Sequence, residues 1–312
     1  MEYITLKNSD LKVSRLCMGG CPMGKYGWGD VQENELIDAV HAALDRGITM
    51  FDTADTYGLG QSERILAKAL GKRRKDVVIA DKFGVRVGSN GTVYDNSPQY
   101  IREALDNSLQ RLETDYIDLY QVHYRDNFTP LSTVIDTLEE LKNAGKIRYY
   151  GLSNIHEKDY DEIKPYIGRI VSVQDEYSLA CRKNEMDLLR LSEEFRITPL
   201  TWGSLGQGIL TGKYTKDNVT FGADDRRSRD IYVNFHGDKL IKNLEIVEVM
   251  KEIAVRYNKP VSAVAIRYIL DFIPKSVVLV GAKRPSQIIG NIEGTDWKLA
   301  EDDIRKLDEI SK

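Results

Sequence analysis

The stretch Phe51-Asp52-Thr53-Ala54-Asp55-Thr56-Tyr57-Gly58 closes a short apolar run, Ile48 to Phe51, on an acid and sets a tyrosine on the turn beyond it. An apolar run of this length, bounded by turn residues, reads as a buried strand. Asp52 therefore ends a strand, and Tyr57 lies on the loop that follows. The same punctuation recurs on both sides. Seven further apolar runs lie at Leu16 to Met18, Val77 to Ala80, Tyr116 to Val122, Ile147 to Leu152, Ile170 to Val173, Ile197 to Leu200 and Val277 to Val280. Polar residues close several of them: Lys82 after Ala80-Asp81, His123 after Val122, Ser153-Asn154 after Leu152, and Gln174 after Val173. Singly, each reads as a solvated strand end. Jointly they favour a barrel, which gathers side chains from the C-terminal ends of many strands, over an open sheet with its site at one switch point.

Between the runs the spacing is helical. Leu36, Ile37, Val40, Ala43 and Leu44 precede Gly47, and Ile65, Leu66, Ala69 and Leu70 precede Gly71. Ser97-Pro98 and Thr129-Pro130 read as caps followed by a first-turn proline. Further helical patterns cover about 184–194, 240–257, 261–272, 286–292 and 302–310. At the start, Tyr3 to Leu6 and Leu11 to Val13 flank Asn8-Ser9-Asp10 as a hairpin. Short connections between alternating strands and helices predict parallel strands covered by helices. No repeat, low-complexity tract or linker marks a boundary. The expectation is one (β/α)8 TIM barrel over residues 1–312, with an N-terminal β-hairpin and extra C-terminal helices. Two long connections, Gly84 to Asn96 and roughly Lys213 to Asp238, follow strand C-terminal ends, where long loops are usually functional.

Composition narrows the function classes. With 312 residues, 42% hydrophobic and 29% charged, the chain can bury a large core. Forty-four Lys and Arg against 48 Asp and Glu give a net charge of -4 with no extended basic block, which argues against nucleic acid. No apolar run approaches the roughly 20 residues of a membrane span, and Met1 to Lys7 does not look like a signal peptide, so a cytoplasmic location is expected. Cys17, Cys21 and Cys181 form no C-x-x-C pair, and no metal site is visible.

The polar strand ends suit one chemistry. A phenol with its ordinary pKa of ~10 donates a proton near neutrality only beside positive charge, which Lys82 supplies. Asp52 would keep Lys82 charged by pairing with it, and His123 would donate to a developing oxyanion. Together these groups suit protonation of a carbonyl oxygen while a hydride reaches the carbon.

With these residues in view, the chain resembles the aldo-keto reductases across essentially its whole length. FDTADTYG, the IADKFG around Lys82, QVHYRD around His123, GLSN at 151–154 and LGQGILTGKY at 205–214 stand in that family's order. The resemblance implies a barrel that interconverts a carbonyl (aldehyde, ketone or sugar-like) and its alcohol by pro-R hydride transfer, with Tyr57 as general acid and Asp52, Lys82 and His123 supporting it. It implies NADPH (NADP), favoured over NADH, bound extended; fittingly, no G-x-G-x-x-G occurs. By resemblance, Ser153, Asn154 and Gln174 hold the nicotinamide carboxamide and Trp202 stacks on its ring, where most relatives place a tyrosine. Gly20 and Asp52 lie beside the cofactor, and Gly203, Ser204, Leu205, Gln207 and Gly208 cradle the pyrophosphate. Gly281, Lys283 and Arg284 with Gln287 and Asn291 take the adenosine phosphate end, where a 2′-phosphate wants cations. Trp28, Tyr57, His123 and Tyr124 would meet a small-molecule carbonyl substrate, although Trp28 and Tyr124 also read as loop packing.

Other patterns are decoys or rivals. Ile273-Pro274-Lys275-Ser276 resembles a cofactor-phosphate segment but precedes the last strand, so Lys275 reads as structural. Tyr160 and Lys164 form a Y-x-x-x-K without the glycine-rich start such a pair needs. Arg226, Arg227 and Arg229 beside Asp224 and Asp225 read either as contacts to an anionic or polyhydroxylated substrate or, more simply, as a solvated charge run. Two functional rivals stand: a nucleotide-binding regulatory subunit resembling potassium-channel beta subunits, and a glycoside hydrolase using Asp52 and Glu176.

Overall fold

The computed structural model describes residues 1–88, 91–222 and 224–312. Twelve strands form in chain order: β1 (Tyr3–Thr5), β2 (Lys12–Ser14), β3 (Leu16–Gly19), β4 (Met50–Asp52), β5 (Val78–Phe83), β6 (Val85–Gly88), β7 (Gly91–Tyr94), β8 (Ile117–Val122), β9 (Ile147–Ser153), β10 (Ser172–Glu176), β11 (Thr198–Trp202) and β12 (Val277–Gly281). Eight of them, β3, β4, β5, β8, β9, β10, β11 and β12, pair in parallel and close into a barrel. All eight expected runs are barrel strands. Several extend further towards their C-terminal ends than the apolar stretch alone, so Asp52, Lys82, Ser153 and Gln174 lie within strands.

The pleat decides which residues face inward. Met50, Val78, Ala80, Leu119 and Leu200 fill the barrel interior. Side chains alternate across a strand, so residues two further on share that interior nearer the C-terminal rim. Asp52, Lys82, Gln121 and Trp202 occupy those positions, and His123 continues the Leu119 and Gln121 row just past β8. The intervening residues Phe51, Ile79 and Phe83 pack outward against the helices. Gly151 marks a close approach between strands: a Cβ there would lie 2.3 Å from Ser172 Oγ.

The N-terminal end is sealed. The antiparallel hairpin β1–β2 sends Leu6, Leu11 and Val13 into the interior cluster, each fully buried. Lys7 N donates to Thr198 Oγ1 (2.8 Å) and Ser14 N to Thr49 Oγ1 (2.9 Å), fastening the plug to the start of β11 and to the residue before β4. Burying side chains of this size contributes ~1.5–3 kcal/mol each.

Helices ring the barrel at Glu33–Asp45, Gln61–Leu70, Pro98–Leu112, Leu131–Asn143, Glu185–Glu193 and Val261–Phe272, and Gly237–Tyr257, Pro285–Ile292 and Glu301–Ser311 complete them. Ser97 caps as expected, its hydroxyl accepting from Tyr100 N at 3.3 Å. Thr129 does not. Its hydroxyl donates to Asp126 (2.7 Å), and Leu131 N instead donates to the Glu162 carboxylate. Between β9 and β10 only short helical turns form, over 157–166.

The two long connections carry secondary structure among their described residues. After β5 the chain forms a second antiparallel hairpin, β6–β7. Among the described residues of 213–238, short helical turns form at Arg226–Ser228 and Val233–Phe235, and Arg227 makes a buried ion pair with Asp225. The reading of that segment as a solvated charge run is thus corrected for Arg227. Its guanidinium also donates to Tyr214 Oη (3.0 Å) and lies 4.7 Å from the Phe221 ring centre. No helix among the described residues is long and apolar enough to cross a membrane.

Candidate active site

At the C-terminal rim the inward row becomes polar. Lys82 Nζ donates to both Asp52 oxygens (2.7 and 2.6 Å) and to Thr53 O (2.8 Å), with Lys82 1% and Asp52 3% exposed. Gln174 Nε2, from across the barrel, adds a bond to Asp52 Oδ2 at 2.8 Å. The register allows this: Asp52 pairs with Ala80, and Lys82 lies two residues on along the same face. Removing one partner of such a buried pair leaves an uncompensated charge, at a cost of ~3–5 kcal/mol.

Tyr57 hangs over this pair. Lys82 Nζ is 5.1 Å from its ring centre, and the His123 ring meets it edge-on at 5.9 Å. The Tyr57 turn is pinned by a glycine contact: Gly58 has φ of +62°, and a Cβ there would fall 2.2 Å from Gly24 O. Burial first, then the Asp52 charge, push the Tyr57 phenol well above its ordinary pKa. The net direction is opposite to the one that positive charge from Lys82 alone would give, because burial is the largest influence on the phenol. Tyr57 holds its proton. Burial, then the Lys82 charge, push His123 well below the usual imidazole range, so it is neutral, and its Nδ1 is buried without a partner.

Tyr124 stacks on His123 (5.0 Å, 24° between planes), and Tyr94 of β7 stacks on Tyr124 (5.1 Å, 25°). Tyr94 went unread in the sequence, although Val85 to Val87 and Thr92 to Tyr94 flank Gly88-Ser89-Asn90-Gly91, a hairpin signal. Trp28 is half-buried, its ring 5.1 Å from the Arg226 guanidinium and 5.8 Å from that of Arg227. Loop packing is thus one of its roles.

The residues named for the cofactor gather on the same rim. Ser153 Oγ donates to Gln174 O (2.7 Å) and Asn154 Nδ2 to His123 O (2.9 Å), locking the ends of β8, β9 and β10 together. Gly20 N donates to Asp52 O at 2.6 Å, leaving no room for a side chain. After Trp202 the chain turns through positive φ at Gly203, Gly206, Gln207 and Gly208, a backbone cradle suited to phosphate oxygens. Ser204 is buried, its hydroxyl on Thr201 O (2.8 Å), so its backbone is what it can offer. Gln207 accepts from Asn234 (2.6 Å), and Leu205 is half-buried.

At the far end, Gly281 packs on Pro22, Gln287 accepts from Lys283 N (2.7 Å), and Asn291 is buried. Lys283 Nζ is bonded to Trp28 O, and burial followed by the Arg227 charge lowers its pKa to about 8. Arg284 is exposed and pairs with Glu35 at 3.1 Å. These loops fit an extended dinucleotide: a backbone cradle in the middle and two cations at one end.

The decoys separate from the site. Lys275 is exposed at the N-terminal end of β12. Tyr160 Oη donates to Asp187 and Lys164 Nζ to Asp161, so they do not form a pair. Among the described residues no cluster of His, Cys, Asp and Glu is placed to hold a metal ion, and all three cysteines are free. A cavity of about 260 Å³ lies on the outer side of the Tyr57 loop, lined by Asp55, Thr56, Tyr100 and Arg111 among others. None of Tyr57, Lys82 and His123 lines it, and its volume does not locate the chemistry. Behind the barrel wall the sequence reading missed a second acid cluster. Asp81 is fully buried with both oxygens unpartnered, while Glu63 is held by Arg111 (2.5 and 3.0 Å).

An eight-stranded parallel barrel with an ion pair, a phenol and an imidazole converging at the C-terminal rim, and with a glycine-rich backbone turn and two cations on loops of the same rim, is the framework of a barrel oxidoreductase. The chain belongs to the aldo/keto reductase family, whose model matches residues 15–312. It is 36% identical to the aldo-keto reductase YhdN of Bacillus subtilis (strain 168), over 99% of this chain and 93% of that protein. It is 32% identical to the NADH-specific methylglyoxal reductase of Escherichia coli (strain K12), over 100% and 99%. Among solved structures, the glycerol dehydrogenase of Gluconobacter oxydans superposes with a TM-score of 0.89 at 32% identity, covering 99% of this chain and 94% of that one. The protein is accordingly an NAD(P)H-dependent oxidoreductase acting between carbonyl and alcohol groups.

Proposed function

We propose that the chain is one barrel unit over residues 1–312 that reduces small aldehydes or ketones with NADPH, Tyr57 giving its phenolic proton to the carbonyl oxygen. The observation carrying this is the convergence of Tyr57, neutral His123 and the Lys82–Asp52 pair on one point of the rim. Tyr57 starts protonated, as an acid must. As its proton leaves, the phenolate gains the attraction of Lys82, held within reach of the ring by Asp52 and Thr53 O. His123 is a neutral hydrogen-bond donor to the oxygen and not a competing acid. A reduced nicotinamide, when bound, supplies the hydride. Ser153, Asn154 and Gln174 would hold its carboxamide, Trp202 its ring face, the 203–208 turn its pyrophosphate, and Lys283 with Arg284 a 2′-phosphate. The NADPH preference rests on those two cations and stands against a relative named as NADH-specific.

Tyr57→Phe is the direct test. Turnover of a carbonyl panel should fall ~10²–10⁴-fold, the range for losing a positioned acid, with NADPH affinity by Trp quenching unchanged. Full turnover in the variant would overturn the mechanism.

A further inference from the structure

Hairpin β6–β7 has no evident structural task. A two-stranded ribbon is marginal on its own in water, and from Arg86 to Tyr94 every described residue is exposed. It is held at its base, where Tyr100 Oη donates to Val85 O (2.9 Å), and on its two faces. On one face Arg86 packs over the Tyr100 ring (5.1 Å) and pairs with Asp95 (2.9 Å), tying the ribbon to the helix Pro98–Leu112. On the other face Tyr94 rests on Tyr124, which rests on His123, whose ring meets Tyr57 edge-on. The column runs without a gap from the surface to the candidate acid.

The pairs Val85 with Tyr94 and Val87 with Thr92 put Val87 on the same face as Tyr94. Tyr94 is 46% and Val87 52% exposed, so this apolar face is open. A carbonyl oxygen placed between Tyr57 and His123 would send one substituent outward along the column, past Tyr124 towards Tyr94. A flat apolar group there meets aromatic surface at ring-stacking intervals; a methyl or hydroxymethyl group stops short of Tyr94.

We propose that Tyr94 is a specificity-determining residue, forming with Tyr124 an aromatic wall that favours carbonyl substrates bearing an aryl group a few bonds beyond the reacting carbon. This rests on the reading of Tyr57 and His123 as the reacting end. The hairpin serves substrate selection, and the aromatic column links its outer strand to the barrel rim.

Propanal and 3-phenylpropanal share a reacting group and differ by the ring, so they form the probe pair. Steady-state kcat/KM is measured for both with NADPH, or with NADH if only that nucleotide binds, in wild type, Tyr94→Ala and Tyr94→Phe. Wild type should prefer 3-phenylpropanal. Tyr94→Ala should lower kcat/KM for it about tenfold, the size of one lost aromatic contact, mostly through KM, with propanal changed less than twofold. Tyr94→Phe should retain the preference, since the face and not the hydroxyl makes the wall. An equal loss for both aldehydes would make Tyr94 a structural prop and overturn the proposal, as would no change for either. Wild-type protein that turns over neither overturns it too; the nucleotide titration and Tyr57→Phe then decide separately whether the reductase reading falls with it.

Discussion

The two ends of the barrel are built from the same eight strands and differ in almost everything else. At the N-terminal end the inward positions are Val78, Leu119, Val171, Leu200 and Val277, and hairpin β1–β2 presses Leu6, Leu11 and Val13 onto them. Further along the same interior row, Met50 gives way to Asp52, Ala80 to Lys82 and Leu119 to Gln121, and hairpin β6–β7 stands largely in solvent, held by Tyr100, by the Arg86–Asp95 pair and by the stack of Tyr94 on Tyr124. The period of the pleat is unchanged between the ends; only the residue types change. Stability is thus concentrated at one end, and the other end carries buried charge that only mutual pairing makes tolerable.

That division can be broken most sharply at Lys82. Lys82→Met should abolish at least 10²-fold of turnover and also destabilise the fold by ~3–5 kcal/mol, because Asp52 loses its partner. Combining it with Asp52→Asn removes both charges; denaturant melts should then recover most of the stability while turnover stays low. A double variant as unstable as the single one would mean the pair is a structural brace first. The opposite end gives the converse: Leu11→Ala should cost ~2–5 kcal/mol in a urea melt and leave kcat/KM per folded molecule unchanged. A drop in kcat/KM matching the stability loss would erase the distinction.

Smaller effects sharpen the picture. Lys283→Ala should weaken NADPH about tenfold, the scale of one charge-assisted contact, and leave NADH within twofold. Because the Lys283 ammonium titrates at about 8, the wild-type preference for NADPH should itself shrink as pH rises through that value; a flat preference from pH 6 to 9 would remove Lys283 from the phosphate site. Smallest is Asp55, whose carboxyl is pushed up to about 7 by burial and by Glu63. A carboxyl raised in the folded state favours folding while protonated, so its support is full below its ordinary value of 3.8 and is lost as pH climbs from there to about 7. Asp55→Asn should therefore raise Tm by ~2 °C at pH 8, by less at pH 5 and scarcely below pH 4. Equal shifts at every pH would mean that ionisation of Asp55 is not felt.

Much of the rim was legible because its residues sit at strand ends, where an apolar run visibly stops. Asp52, Lys82, His123, Ser153 and Gln174 could be picked out that way, and Tyr57 by its place on the turn after Asp52. Ser97 announced its helix for the same local reason, since a cap acts on a backbone amide three residues away. What failed to show depends on distant partners. Arg227 looked like a surface charge beside Asp225, and its burial follows from Tyr214, Phe221 and Phe235 closing over it. Thr129 looked like a cap until Glu162, from a segment without strong periodicity, took the Leu131 amide. The direction of the Tyr57 shift could not be read from the sequence because it follows first from burial, which the closed fold sets.

By itself, then, the sequence determined the order of the barrel strands and of most helices and the polar residues that close the strands, because each is written in local periodicity and chain punctuation. Tertiary structure alone decided that Asp52 binds Lys82 and Gln174 at once, that His123 is neutral, that Asp81 lies buried without a partner, and that a solvent-facing hairpin rests its tyrosine on the column leading to Tyr57. Those outcomes depend on which groups barrel closure brings within a few ångströms, and no spacing along one chain encodes that distance.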